Sequence, residues 1–87
     1  MIKMNVKFET PEQLVEFSSM CQKTDADTLI EDTVHKFVID GKSVMGMMTL
    51  TLNQKMLFIV DGENEEEVVP TFEKFQITET DQRQNLG

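Results

Sequence analysis

The sequence predicts an α+β fold in which helices pack on one face of a sheet of about four strands. Three observations lead to this class: an alternating apolar run at the N-terminus, a helix with a strong start signal directly behind it, and two further β-rich runs followed by a helical segment. A chain of 87 residues is long enough for one core and too short for two. We therefore expect one domain over residues 1–75, with the second sheet face bare, and a polar C-terminal tail over residues 76–87 that is predicted to be flexible.

The first strand and the first helix have the clearest patterns. Apolar and polar residues alternate from Ile2 to Phe8, which is typical of a strand with one buried face. Thr10 is predicted to cap the helix, Pro11 suits its first position, and Gln13 stands where a capping box places Glu or Gln. The residues predicted to face the sheet are Leu14, Val15, Phe17, Ser18 and Cys21.

The remaining elements follow from composition and from turn signals. The β-rich stretch 29–40 is predicted to be strand, and residues 55–60 form another apolar strand. Asn64 is a candidate cap for the last helix because three glutamates follow it. Pro70 removes a backbone donor beyond the first turn of that helix, so we expect a kink or a later start there.

Composition narrows the possible partners. Sixteen acidic residues against eight basic ones give a net charge of −8, which argues against nucleic acid and anionic membrane surfaces. No apolar run reaches the length of a membrane span, and no signal peptide is expected. The one cysteine, Cys21, cannot form an internal disulfide and is interpreted as a small core residue. These features predict a soluble cytoplasmic protein that binds other proteins.

The sequence does not indicate an enzyme, a cofactor or a metal. It has no Gly-rich phosphate loop, nucleophile elbow or His-Glu-x-x-His motif, and no Cys/His cluster with zinc spacing. The only histidine, His35, falls in the β-rich stretch and is interpreted as a sheet residue rather than a catalytic or metal-binding one.

The segment Lys42-Ser43-Val44-Met45-Gly46-Met47-Met48-Thr49-Leu50 concentrates three methionines around one glycine directly behind a Lys-Ser pair. It is predicted to be a short helical turn between strands, with Ser43 as its N-cap. The nine residues closely resemble the regulatory segment of HPr, the small phosphocarrier of the bacterial phosphotransferase system, as found in Gram-positive bacteria. The resemblance extends more loosely over most of residues 2–75.

The resemblance implies the HPr fold, a βαββαβα open-faced sandwich with a four-stranded antiparallel sheet covered on one face by helices. It places Ser43 on the serine that HPr kinase phosphorylates, where a phosphate would meet the free amide groups of the helix start. It also implies that Met47 and Leu50 turn inward. The partner-binding residues that it implies are Lys42, Val44, Met45 and Met48.

One departure from the family pattern bears on function. HPr carries its phosphoryl group on a histidine in a His-x-Arg-Pro run before the first helix, whereas this chain reads Lys7-Phe8-Glu9-Thr10-Pro11, without His or Arg. Glu9 and Glu12 add negative charge where an anion would bind. We therefore expect a non-catalytic HPr-like protein, similar to the catabolite-repression variant of HPr. It would bind a transcriptional regulator or a metabolic enzyme, with affinity set by phosphorylation of Ser43.

Two alternatives stay open on the sequence. One is a phosphocarrier that uses an atypical residue, His35. The other is a structural interaction module without phosphorylation, which could dimerise through the exposed sheet face. The oligomeric state is not predicted.

Overall fold

The computed structural model describes residues 1–77 and has the predicted α+β architecture. Its elements in chain order are β1 (Ile2–Val6), α1 (Pro11–Gln22), β2 (Asp27–Asp32), β3 (Phe37–Asp40), α2 (Val44–Met47), β4 (Met56–Asp61), α3 (Glu65–Val68) and a 3₁₀ helix (Val69–Phe75). The four strands form one antiparallel sheet in the order β1-β4-β2-β3. No helix among residues 1–77 combines the length and the apolar character that crossing a membrane requires.

The sheet separates a covered face from a bare one because side chains alternate along each strand. Met4, Phe58 and Ile30 lie side by side on the covered face and are buried. On the other face Leu29 and Val38 stay 38% and 54% exposed. One face is therefore packed under helices and the other is open, as predicted.

Helix α1 begins as predicted. Thr10 Oγ1 accepts a hydrogen bond from the Gln13 amide at 3.3 Å, and Gln13 Oε1 accepts one from the Glu9 amide at 2.6 Å. The buried residues of the helix are Leu14, Phe17, Ser18 and Cys21. The prediction for Val15 was wrong, since its side chain is 46% exposed. The sheet covers only the narrow stripe at i, i+3, i+4 and i+7, and Val15 lies beside that stripe.

The β-rich stretch 29–40 is a hairpin and not one strand. Residues 33–36 form the turn between β2 and β3. His35 therefore lies in a turn, and its predicted place in the sheet was wrong. Asp32 builds this turn: its Oδ1 accepts hydrogen bonds from the amides of Val34 at 2.9 Å and His35 at 3.0 Å. Lys36 adopts a left-handed backbone with φ 64°, at which the chain reverses into β3.

The C-terminal helical segment differs in detail from its prediction. Asn64 holds the predicted N-cap position, but its side chain makes no cap hydrogen bond. The break predicted at Pro70 is present, because α3 gives way at Val69 to a 3₁₀ helix that carries Pro70 in its first turn. The core that these elements close is rich in aromatic rings: Phe17 lies within 5.3 Å, ring centre to ring centre, of Phe8, Phe58, Phe72 and Phe75.

The chain beyond the 3₁₀ helix returns to the outer edge of β1. Gln76 forms an isolated antiparallel bridge with Val6, and the Ile77 amide donates to the Asn5 carbonyl at 2.8 Å. The first two residues of the predicted tail are therefore held against the sheet. The rest of that predicted tail, residues 78–87, lies outside the described residues.

Candidate functional site

Helix α2 and its two caps present the segment that the sequence singles out. Ser43 is the N-cap, as predicted: its Oγ accepts a hydrogen bond from the Gly46 amide at 3.1 Å. Its carbonyl accepts another from the Met47 amide at 2.9 Å. Ser43 itself is exposed, so the hydroxyl that starts the helix also faces solvent.

The turn is tightly packed around Gly46 on the side of Ser43. A Cβ atom at Gly46 would lie 3.2 Å from Ser43 Oγ and 3.6 Å from the Ile39 Cβ on β3. The missing side chain therefore keeps room for the serine hydroxyl, whereas the contact with Ile39 would be an ordinary one.

The apolar residues of α2 divide into an inner and an outer set. Met47 is fully buried and Leu50 is 5% exposed, so both belong to the core. Val44, Met45 and Met48 are exposed by 38%, 81% and 49%. We call Ser43 with these three exposed residues, together with Lys42, the α2 surface.

Lys42 is held by its backbone beside this surface. Its amide donates to Asp40 Oδ1 at 2.9 Å, and its carbonyl accepts from Gln22 Nε2 at 3.0 Å. The end of α1 and the end of β3 thus fix the residue that precedes the cap. The side chains that the sequence assigned to partner binding are brought together on one short element.

The start of α1 is organised differently from a phosphohistidine site. Phe8 is fully buried against Phe17, with ring centres 4.9 Å apart, and its carbonyl accepts from the Asn53 amide at 2.7 Å. Thr10 is exposed and serves as the helix cap. In the run that stands where HPr has its histidine, Phe8 is therefore a core aromatic ring and Thr10 a capping hydroxyl.

The sequence interpretation missed an Asp–His pair in the β2–β3 turn. His35 Nδ1 lies 3.0 Å from Oδ2 of Asp32, whose side chain is fully buried while that of His35 is 56% exposed. Thr51 Oγ1 is 3.4 Å from the same ring nitrogen, and the His35 ring stacks on Phe37 with centres 6.2 Å apart. The i, i+3 spacing of Asp32 and His35 within the β-rich stretch was the available signal.

Hydrogen bonds decide the charge of Asp32. Burial raises the pKa of this carboxyl, but hydrogen bonds from the amide and the ring of His35 and from the amide of Val34 outweigh burial and leave the pKa below its usual value. The carboxylate is therefore ionised near neutral pH. It orients the imidazole and leaves Nε2 as the ring nitrogen that does not bond to Asp32.

Cys21 is a core residue, as the sequence predicts. It is fully buried, and burial raises the pKa of its thiol to about 11. A thiol with so little thiolate at neutral pH is a poor nucleophile.

Together, the antiparallel open sandwich and the serine-capped short helix on its edge define an HPr-like domain. A family model described as "PTS HPr component phosphorylation site" matches residues 14–76. The chain belongs to this HPr family of phosphotransferase-system components, whose members are phosphocarriers. No curated protein sequence matches the chain.

Solved structures show the same fold at low sequence identity. HPr from Bacillus anthracis superposes with a TM-score of 0.70 and 17% identity, covering 87% of this chain and 96% of that one. The protein described as "HPr-C-His" from Thermoanaerobacter tengcongensis gives a TM-score of 0.68 and 19% identity over 80% of this chain and 84% of that one. Crh, the catabolite repression protein of Bacillus subtilis, gives 0.61 and 20% identity over 76% of each chain, and is described as a domain-swapped, intertwined dimer.

Proposed function

We propose that this HPr-family chain is a non-catalytic regulator that binds partner proteins through the α2 surface, with phosphorylation of Ser43 setting the affinity. One observation carries the proposal: an exposed serine hydroxyl caps a short helix that also exposes Val44, Met45 and Met48. Exposed apolar side chains on a soluble domain favour a protein interface, and methionine adapts to varied partner surfaces.

A phosphate on Ser43 would be recognised by charge. It would add about two negative charges beside the free amides at the start of α2. The adjacent Lys42 would offset part of that charge. The phosphorylated state would therefore differ from the unmodified one both in charge and in the contact that Ser43 Oγ now makes to the Gly46 amide.

The region before α1 supports a non-catalytic role. The sequence has no histidine before residue 35, and the exposed Glu9 and Glu12 disfavour an anion near this helix start. A phosphoryl group carried there would lack both the histidine and the arginine of the family pattern. The partner classes proposed from the family resemblance are HPr kinase and either a transcriptional regulator or a metabolic enzyme, all in the cytoplasm.

The first test is phosphorylation by a Gram-positive HPr kinase with ATP, with the site located by mass spectrometry. We expect one phosphate on Ser43 and none in the Ser43→Ala variant, while Ser19→Ala, which changes an exposed serine of α1, stays a substrate. Absence of phosphate from Ser43 in the unmodified chain would remove the regulatory half of the proposal.

The second test addresses the apolar part of the α2 surface. Met45→Lys is expected to lower kcat/KM for the kinase about tenfold or more, because a charge replaces a side chain that is 81% exposed and proposed to be covered in the complex. Val38→Lys is the matched control, since Val38 is an exposed apolar residue on the bare face of the sheet. Equal losses in both variants would show that the effect is one of charge and not of contact.

The Asp32–His35 pair favours a second candidate function, a phosphocarrier that uses His35. In that reaction the Nε2 lone pair would attack the phosphorus of a phosphohistidine donor, the donor P–N bond would break, and the proton on Nδ1 would stay hydrogen-bonded to Asp32. Enzyme I with phosphoenolpyruvate would then label the chain, and His35→Ala would abolish the label. Under the first proposal the same incubation leaves the chain unlabelled.

A further inference from the structure

A cleft of about 690 Å³ opens between the C-terminal end of α1 and the start of α3, and none of the α2 surface residues lines it. Half-buried Met20 from α1 and Val68 from α3 give it accessible apolar surface, and the buried Ala26 and Phe72 lie behind them in the core. The volume lies within the range of about 300–1,000 Å³ that small-molecule sites occupy. The cleft is therefore large enough for a compact ligand and offers its body an apolar surface.

Close backbone packing fixes the walls of this cleft. A Cβ atom at Gly62 would lie 3.0 Å from both Cα and Cβ of Ala26, so the connector after α1 and the loop after β4 meet with no room between them. The Ala26 amide also donates to Thr24 Oγ1 at 3.2 Å, which holds the connector in its turn. The two walls are thus positioned before any ligand enters.

The rim of the cleft is negative. Three exposed carboxylates, Asp25, Glu63 and Glu67, stand at its edge against one lysine, Lys23. The partial negative charge at the C-terminal end of α1 points to the same place, where the single lysine, Lys23, is the C-cap residue of the helix. Carboxylates and helix end therefore favour the same kind of ligand, a cation.

We propose that this cleft binds a small organic cation, an ammonium or amidinium group carried on a compact apolar body. The cationic head lies between the rim carboxylates of Glu63 and Glu67, and the apolar body lies on Met20 and Val68. The rim carboxylates repel anions, and a neutral apolar molecule makes only the apolar contacts. This site is separate from the α2 surface, so its occupancy does not depend on Ser43.

The test is a titration of the full chain, labelled with ¹⁵N, with benzamidine and with its neutral analogue benzamide. Benzamidine is expected to shift amide signals of the cleft residues and to bind about tenfold more tightly than benzamide, the effect of roughly one close charge interaction at a surface. Raising the salt concentration is expected to narrow that difference, because exposed charges are screened.

Matched variants locate the charge effect. Glu63→Gln and Glu67→Gln are each expected to weaken benzamidine about three- to fivefold, a fraction of one close surface charge interaction, and to leave benzamide unchanged. Glu12→Gln makes the same charge change about 15 Å away, at the opposite end of α1, and is expected to leave both unchanged. Equal affinity for benzamidine and benzamide, equal effects of all three variants, or signal shifts confined to residues outside the cleft would each overturn the proposal.

Discussion

At the scale of single residues, Ser43 has two roles that a single substitution can separate. Its Oγ caps α2 by accepting from the Gly46 amide, so Ser43→Ala is expected to lower the free energy of unfolding by about 1 kcal/mol. Ser43→Asp keeps an acceptor at the cap and is expected to lose less. Urea denaturation of both variants measures the difference, with Ser19→Ala on the exposed side of α1 as the control. Equal losses for Ala and Asp would mean that the hydroxyl does not act as a cap.

The buried carboxylate of Asp32 predicts how stability depends on pH. Its pKa is lower in the folded chain than the usual value of about 4, so the unfolded chain takes up a proton first as the pH falls. The stabilising contribution is thus complete above about pH 4 and is lost as the pH falls through the folded-state pKa. Urea midpoints measured between about pH 2 and pH 6 should fall more steeply for the unmodified chain than for Asp32→Asn.

The Asp32→Asn variant also serves as a geometric control. Its amide oxygen can still accept from the Val34 and His35 amides, so the turn is retained while the charge is removed. His35→Ala removes only the ring contact and should give an intermediate slope. Parallel pH profiles for all three chains would contradict the assignment.

Residue patterns predicted one of these two sites and not the other. Ser43 was predicted as a cap because a short apolar turn follows it directly, which is a local signal. The Asp32–His35 pair depends on a turn that the Asp32 side chain holds through its hydrogen bonds. Residues 33–36 contain no Gly, Pro or Asn that would indicate a turn in the sequence. His35 was therefore placed in a strand.

At the scale of elements, the orientation of α2 decides which methionines can meet a partner. Met47 is fully buried, so Met47→Ala is expected to cost about 2–4 kcal/mol of unfolding free energy through the lost apolar contact and the cavity left behind. Met45 is 81% exposed, and Met45→Ala should change stability by less than about 0.5 kcal/mol. Urea denaturation of the two variants checks the orientation, and the reverse order of losses would contradict it.

The helical elements show where sequence patterns are sufficient. The buried stripe of α1 was predicted because its twelve residues repeat the helical period several times. Helix α3 has four residues, too few to establish a period, and the chain around Pro70 continues as a 3₁₀ helix. Asn64 holds the predicted position without a side-chain cap bond, because its backbone (φ −107°, ψ 27°) is not extended as that of a capping residue usually is.

At the scale of the whole molecule, the strand order explains why the fold class was easier to predict than the pairing. β4 pairs with β1 on one side and with β2 on the other, and both strands lie far from β4 in the sequence. Such pairings leave no local signature, and it was the family resemblance of the Lys42–Leu50 segment that supplied the βαββαβα topology. The aromatic core, by contrast, follows directly from composition, since every aromatic residue is phenylalanine.

The net charge of −8 predicts a property of the folded chain as a whole. Sixteen acidic side chains on a small domain repel one another, and that repulsion is larger in the compact state than in the unfolded one. Salt screens it, so raising NaCl from about 10 mM to about 300 mM is expected to raise Tm by several degrees. Glu66→Lys makes the net charge two units less negative at an exposed position of α3, and should start from a higher Tm at low salt and gain less from added salt. A Tm that does not depend on salt in either chain would show that the acidic residues are already balanced by local contacts.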